Sequence, residues 1–306
     1  MRVTQSMLAS NSLKNLSNSY SKLGKYQDQL ATGKKISRPS DDPVVAIKGM
    51  FYRTNLTEVE QYQRNLNEAY TWMENSEAGI EHATQIVQRV RELLVQGNNE
   101  SNSPEDLKSI GVEIAELKED LMGVANTQVA GKYIFNGTET HSAPIQDPVS
   151  LDADGNYDYS MNKSKFGVEV SKGVQLQVNI DANNVFGKDI MNTLKDIEEA
   201  LIDGSLHEDA DSDGLRLGDD LLAKLDDHFG DLTAERSELG ARYNRLELVE
   251  SRLGDQEVIA NRILSENEDV DIERVITDLT IQESIHRASL AVGSKIIQPT
   301  LIDFLR

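Results

Sequence analysis

The acidic stretch "DADSDGLRLGDD", residues 209–220, has the residue types and spacing of a calcium-binding loop. Gly214 stands at the turn position of a twelve-residue EF-hand loop, but Arg216 takes the place of the usual apolar residue. No second loop of this type is visible in the sequence, and the last ligand is Asp rather than the preferred Glu. We therefore interpret the stretch as a solvated linker and keep a weaker calcium hypothesis. Its ligands would be four carboxylates, those of Asp209, Asp211, Asp213 and Asp220.

Other candidate chemistry is weaker still. The segment "TGKKIS" resembles the end of a phosphate-binding loop, but Asp28 stands where that loop needs its first glycine. The five histidines are scattered, with no two at the i, i+4 spacing that holds a metal on one helix face: His82, His141, His207, His228 and His286. No catalytic constellation is recognisable, so the sequence predicts neither an enzyme nor a cofactor site.

Composition excludes several function classes. The net charge of -21 over 306 residues opposes general affinity for nucleic acid or for an anionic membrane. The chain has no cysteine, which excludes disulfides, thiolate nucleophiles and cysteine-ligated zinc. Its first residues lack the continuous apolar core of a signal peptide. If the protein leaves the cell, we expect a route that reads no cleavable signal.

Amphipathic helices dominate the first part of the chain. An apolar stripe predicts a first helix that ends at Gly33, and its members are Leu13, Leu16, Tyr20, Leu23 and Leu30. Asp42 and Pro43 have the residue types of an N-cap and a first helical position. A heptad seam then continues from Tyr52 to Leu94, which predicts one very long helix or two in line.

Further helices follow on both sides of a central insertion. Ser103 and Pro104 begin a helix that should pack back on the preceding one as a hairpin. Helical spacing returns from Leu221 to Leu253 and again from Ile272 to Ile296. The pair Gln298-Pro299 should break the last helix.

Residues 131 to about 190 have a different period. The alternation in "FGVEV" and "VQLQVNI" around "SKG" predicts a β-hairpin with one apolar face, made of Val174, Leu176, Val178 and Ile180. The predicted fold class is therefore mainly α with a β-rich insertion. The N- and C-terminal segments should form a long antiparallel helical rod with a small β domain at its tip.

The two terminal helices allow two interpretations. They could simply cover one another, as terminal helices often dock in folded domains. Alternatively they are loose in the monomer and become ordered against other copies, because an isolated helix pair of this length is marginal in water. We favour the second interpretation.

Several segments carry a family resemblance. The chain resembles the bacterial flagellin family nearly end to end, most specifically at its termini, through "MRVTQSML", "YQDQLATGKKISRPSDDPVVAI", "GKYIFNGTE", "LGARYNRLE" and "SLAVGSKIIQPTLIDFLR". Within that family, the prolines that flank "SDD" and the ending "LIDFLR" favour the subunits that join hook to filament over flagellin. Pro299 departs from a continuous terminal coiled coil and leaves the packing of the last residues open.

The resemblance implies a structural subunit and its division into three parts. These are a terminal polymerisation domain (1–40 with 268–306), a helical rod (41–130 with 195–267) and a β-rich outer domain (131–194). The subunit would be exported unfolded through the flagellar type III channel to the extracellular flagellum. Its expected partners are copies of itself, the preceding hook-associated junction protein, flagellin, and an export chaperone on the C-terminal segment.

The resemblance also implies a polymerisation surface, composed of Leu13, Leu16, Leu23, Leu30, Ile36, Ile285, Val292, Ile296, Leu301, Ile302, Phe304 and Leu305. The function that follows is a junction layer between hook and filament on which flagellin begins to polymerise. Flagellin itself, the filament subunit, is the near alternative. A calcium-dependent binding module on a helical stalk is a more distant one.

Overall fold

A computed structural model describes residues 5–99, 101–146, 149, 151, 155–207 and 216–297. The elements, in chain order, are α1 (Gln5–Thr32), α2 (Pro43–Gly97), α3 (Pro104–Ala125), β1 (Gln128–Val129), β2 (Lys132–Tyr133), β3 (Gly167–Ser171), β4 (Val174–Gln177), α4 (Ala182–Phe186), α5 (Lys188–Asp203), a 3-10 turn (Ser205–His207), α6 (Leu217–Glu268) and α7 (Ile272–Ile297). The chain divides into two compact units, residues 1–59 with 255–306 and residues 60–254. The prediction of a mainly α fold with a β-rich insertion is confirmed, and the described strands pair in two small antiparallel sheets.

Local sequence signals set the helix ends. Gly33 follows α1 with a φ of 68°, a conformation that suits glycine. Asp42 accepts hydrogen bonds at the start of α2 from the backbone nitrogens of Val44 and Val45, at 3.0 and 3.2 Å. Ser103 and Asp106 form a complete capping box at the start of α3. The three predicted helix boundaries are therefore confirmed, and the long seam lies in one helix.

The second unit, residues 60–254, is built around an antiparallel pair of helix segments from α2 and α6. Side chains seven residues apart on each helix are almost fully buried: Leu66, Met73, Ile80, Val87 and Leu94 on α2, and Leu225, Leu232, Leu239, Leu246 and Leu253 on α6. Polar contacts fix the direction of the pair. Arg91 contacts Asp226 at 2.6 Å, and Tyr70 donates to Glu250 at 2.7 Å. A seven-residue apolar repeat of this kind is typical of coiled-coil packing.

Further helices pack beside this pair. α3 contacts α2 through an ion pair between Arg89 and Glu113 at 2.7 Å. α5 packs against α3, where Lys118 pairs with Glu198 in a partly buried position. α5 also contacts α2, where Leu201 lies beside Gly97, and α6, where Thr193 meets His228, so the four helices share one core.

The insertion contains less strand than the sequence predicted. The expected hairpin is present as β3 and β4, with Val168 opposite Leu176. Leu176, Val178 and Ile180 are buried, but Val174 stands at the turn and is 38% exposed. Part of the remaining insertion is helical, in α4 and the first turns of α5. The ring of Phe186 on α4 packs against that of Phe135, with centroids 4.8 Å apart. The division of the chain into three domains stays a prediction.

Candidate assembly surface

α1 and α7 of the first unit pack against each other. Leu16, Leu23 and Leu30 recur every seven residues on α1 and are half-buried. Beside them Ser19 is buried, and its hydroxyl accepts a hydrogen bond from Gln282 Nε2 of α7 at 2.8 Å. The ring of Tyr20 lies 6.2 Å from that of His286. Lys34, just after α1, contacts Asp269 before α7, while Ser12 near the start of α1 lines a groove with Ser294 near the end of α7, so the two helices are antiparallel.

A narrow groove marks where these two helices separate. It is lined by Ser12, Leu13 and Leu16 from α1 and by Ser289, Leu290, Gly293 and Ser294 from α7. Its apolar walls are only partly covered, because Leu13 and Leu290 remain 57% and 47% exposed. The helix pair therefore has a packed inner seam and an open apolar edge.

The described members of the predicted polymerisation surface fall into two groups that differ in burial. Leu16, Leu23, Leu30 and Ile36 are half-buried. In contrast, Leu13, Ile285 and Val292 are exposed to 57%, 48% and 57%. The Ile296 side chain and the residues Leu301, Ile302, Phe304 and Leu305 lie outside the described part of the structure. Which of these residues contact other subunits stays a prediction.

The apolar surface of the first unit is larger than the sequence analysis predicted. Ile276 and Ile281 of α7 are about half exposed, at 51% and 52%. On the first turns of α2, Ile47 and Phe51 are 63% and 69% exposed. Sequence reading missed these positions because it followed heptad seams, whereas these side chains lie off the seams. The sequence signal that could have found them on α2 is the helical spacing of apolar residues before Tyr52.

A network of charges joins the connection between α1 and α2 to the connection between α6 and α7. Glu268 is buried and accepts a hydrogen bond from Arg53 at 2.6 Å, while Lys34 contacts Asp269 at 2.7 Å. Backbone bonds reinforce the joint, from Lys35 N to Glu268 O at 2.7 Å and from Val270 N to Gly33 O at 2.9 Å. This joint fixes the ends of the α1 and α7 pair.

Electrostatics support this joint. Hydrogen bonding to Asp269 raises the pKa of Lys34, although partial burial opposes the shift. The same bond, with a second from Ser265, lowers the pKa of the Asp269 carboxyl. Both groups are therefore held in their charged forms. Gly49 of α2 is needed beside them, because a Cβ there would lie 2.6 Å from Glu268 Oε1.

The described residues contain little that could do chemistry. No cluster of three or more metal-ligating side chains occurs among them. The candidate calcium ligands Asp209, Asp211 and Asp213 lie outside the described residues, and Asp220 pairs with Lys224 at 2.8 Å. His228 is half-buried against the Thr193 hydroxyl at 3.1 Å, and burial lowers its pKa. Within the described helices, none is long and apolar enough to cross a membrane.

Comparison with known families accounts for this arrangement. The bacterial flagellin N-terminal helical region matches residues 3–140, and the bacterial flagellin C-terminal helical region matches residues 222–305. The chain belongs to the bacterial flagellin family. It is therefore a structural protein of the bacterial flagellum. The two matches contain all of the first unit's described helices, and they leave 141–221, with β3, β4, α4 and α5, between them.

Individual relatives match over nearly the whole chain. Flagellar hook-associated protein 3 of Escherichia coli (strain K12) is 25% identical over 94% of this chain and 95% of its own length. Flagellin of Bacillus subtilis (strain 168) is 26% identical over 95% of both. The crystal structure of flagellar hook-associated protein 3 from Legionella pneumophila is 18% identical. It covers 71% of this chain and 98% of its own, with a TM-score of 0.61.

Proposed function

We propose that this chain forms the junction layer between the flagellar hook and filament, where it offers flagellin its first binding surface. The observation that carries the proposal is the open apolar surface of the first unit. Leu13, Ile285 and Val292 remain about half exposed in a single copy. Exposed apolar surface of this kind is typical of association sites, because burying it removes apolar area from water.

The partners follow from this role. The chain assembles with copies of itself, with the preceding hook-associated junction protein on one side and with flagellin on the other. It reaches the extracellular flagellum through the flagellar type III channel, and an export chaperone binds its C-terminal segment. Similarity to flagellar hook-associated protein 3 over 95% of that relative's length supports the junction role.

Flagellin itself is the second candidate, because the Bacillus subtilis flagellin matches to a similar degree. Deleting the gene separates the two roles when hooks are imaged and flagellin is assayed in cells and medium together. A junction subunit leaves bare hooks and flagellin monomer in the medium. Absence of flagellin from both places would identify the filament subunit instead, and unchanged filaments would reject both roles.

Two substitutions test the assembly surface directly. Leu13→Asp or Leu290→Asp should leave the second unit folded and abolish filament attachment, since each places a charge on the exposed apolar edge that we propose for contact. Ser21→Asp is the matched control on α1, because Ser21 is exposed and polar. Circular dichroism checks folding, and electron microscopy of complemented deletion cells counts filaments. Normal attachment in the leucine variants would refute the assignment of this surface.

A further inference from the structure

The first turns of α2 present an apolar patch that other described residues of the first unit leave largely uncovered. Its four side chains are 60% to 69% exposed: Val44, Ile47, Met50 and Phe51. Residues three, four and seven apart on a helix share one face, so Val44, Ile47 and Phe51 point the same way. That face lies opposite the buried Gly49. The patch is therefore an outward surface distinct from the α1 and α7 pair.

Charge distinguishes this part of the chain from the rest. The first 53 residues contain nine Lys and Arg against three Asp and no Glu, so they carry a net charge of +6. Since the whole chain carries -21, the remaining residues carry -27. Lys34 and Arg53 are neutralised by Asp269 and Glu268, and Lys35 donates to the backbone of Glu266. Lys48 on α2 and Arg38, which lines a pocket with Met50, are the basic groups at this patch. The neighbouring Asp41 and Asp42 accept backbone hydrogen bonds around the start of α2.

The second unit contains a groove of complementary character. It lies between α2 and α3 with a volume of about 600 Å³, and its apolar lining consists of Ile86, Leu117 and Val124. These three side chains are only half-buried. Glu119 and Asp120 form an acidic edge, while the one arginine in the lining, Arg89, is paired with Glu113 and Glu92.

We propose that the patch at the start of α2 in one copy binds the groove between α2 and α3 in a second copy. Phe51 enters the apolar part of the groove, and Lys48 and Arg38 face Glu119 and Asp120. An exposed aromatic side chain can bury 150–250 Å² in such a site. Because patch and groove are different surfaces, the contact is head-to-tail and can repeat from one copy to the next. This inference rests on the proposed assembly of the chain in the flagellum.

The absence of cysteine makes a direct test possible. Two single-cysteine chains, Ile47→Cys and Gly123→Cys, are co-expressed in deletion cells, and isolated flagella are oxidised. Gly123 lines the groove, and a Cβ there meets nothing within 4 Å, so the substitution fits. We expect a disulfide-linked species of twice the 34.0 kDa chain mass, at least tenfold more abundant than when Gly123→Cys is replaced by Val95→Cys. Val95 is the matched control, since it is 50% exposed on α2 and does not line the groove.

The outcomes separate this inference from the proposed function. If the chain is absent from isolated flagella, the proposed function itself is wrong. If both variants are incorporated but no linked dimer forms, only the contact proposed here is overturned. A linked species of another mass would identify a different flagellar protein as the occupant of the patch, which also overturns the proposal.

Charge reversal tests the same contact without cysteine. Lys48→Glu should reduce incorporation into flagella at least tenfold, because it places an acidic group against Glu119. Adding Glu119→Lys to the same chain should restore incorporation. The new glutamate at position 48 of one copy then faces the new lysine at position 119 of the next, so the two charges are again opposite in sign. Both positions are exposed, so folding should not change. Failure of the second change to rescue the first would contradict the pairing.

Discussion

The two units of this chain use similar amphipathic helices in opposite ways. In the second unit, α2 and α6 bury their seam residues almost completely, as at Ile80 and Leu246, which are both 0% exposed. Within the described part of the first unit, the buried apolar side chains are Val59, Ala260 and Val275. The difference lies in what surrounds each pair. α3, α5 and the hairpin cover the second unit, whereas α1 and α7 cover only one face of each other.

This contrast explains how one chain can be both stable and ready to assemble. A unit with its own core folds alone, because its apolar burial offsets the conformational entropy that it loses. A pair of helices that leaves half of its apolar surface in water gains stability when other copies cover that surface. The second unit therefore supplies most of the buried core of the subunit, and the first unit carries the open apolar surface that we propose for assembly.

Equal truncations in the two units should have very different costs, and this is the largest effect that we predict. Leu246→Ala removes a fully buried side chain and should lower the free energy of unfolding by about 2–5 kcal/mol. Leu290→Ala removes a side chain that is 47% exposed and should change the free energy of unfolding by no more than about 0.5 kcal/mol. Urea unfolding of the monomer measures both, with far-ultraviolet circular dichroism as the probe of all helices and fluorescence of the single tryptophan, Trp72, as the probe of the second unit. Comparable losses at both positions would mean that the first unit has a core of its own.

The joint at Glu268 sharpens the comparison, since it buries a charged side chain within the otherwise open first unit. Gly49→Ala should destabilise the joint by about 1–3 kcal/mol, because the added Cβ would lie 2.6 Å from the Glu268 carboxylate. Gly24→Ala is the matched control in α1, where a Cβ meets nothing within 4 Å, and it should stabilise that helix by up to about 1 kcal/mol.

Hydrogen exchange measures both glycine variants locally. In Gly49→Ala, protection should fall in residues 33–53 and 266–275, while α3 and α5 keep theirs. A loss of protection that spreads evenly through both units would show that they unfold as one, which contradicts the comparison.

Sequence reading was accurate where the signal is local. Gly33, Asp42 and Ser103 marked helix ends that the structure has, because a cap or a left-handed turn depends on a few neighbouring residues. The heptad seams on α2 and α6 were recognisable for the same reason. Their residue spacing is a property of the helix itself.

Sequence-based prediction was less accurate where contacts between distant segments determine the structure. α5 begins at Lys188, so the last residues of the predicted β-rich domain, up to residue 194, are helical, as the spacing of Ile190 and Leu194 allows. The exposure of Ile47 and Phe51 could not be predicted, because it depends on which distant segments pack beside α2. The predicted assembly residues divided into seam and surface positions for that reason.

The smallest predicted effect is the pH dependence of stability that arises from His228, a residue of the second unit. Burial is the main cause that lowers the pKa of its ring, against the opposing influence of Asp231, Asp189 and Asp227. The unfolded chain therefore binds this proton more readily than the folded chain. Folded stability should be unaffected by His228 above its unfolded pKa of about 6.5 and should fall as the pH drops below that value.

His228→Gln should remove this acid sensitivity and leave other contributions to the pH dependence in place. The amide can still meet the Thr193 hydroxyl, which now lies 3.1 Å from the ring. Thermal unfolding followed by Trp72 fluorescence, at about pH 7.5 and about pH 5.5, should show a smaller decrease in Tm for the variant than for the natural chain. The exposed His141→Gln is the control and should keep the full decrease. If the decrease in Tm is the same in His228→Gln as in the natural chain, the acid sensitivity of the second unit arises from other groups. His228 would then not distinguish the two units.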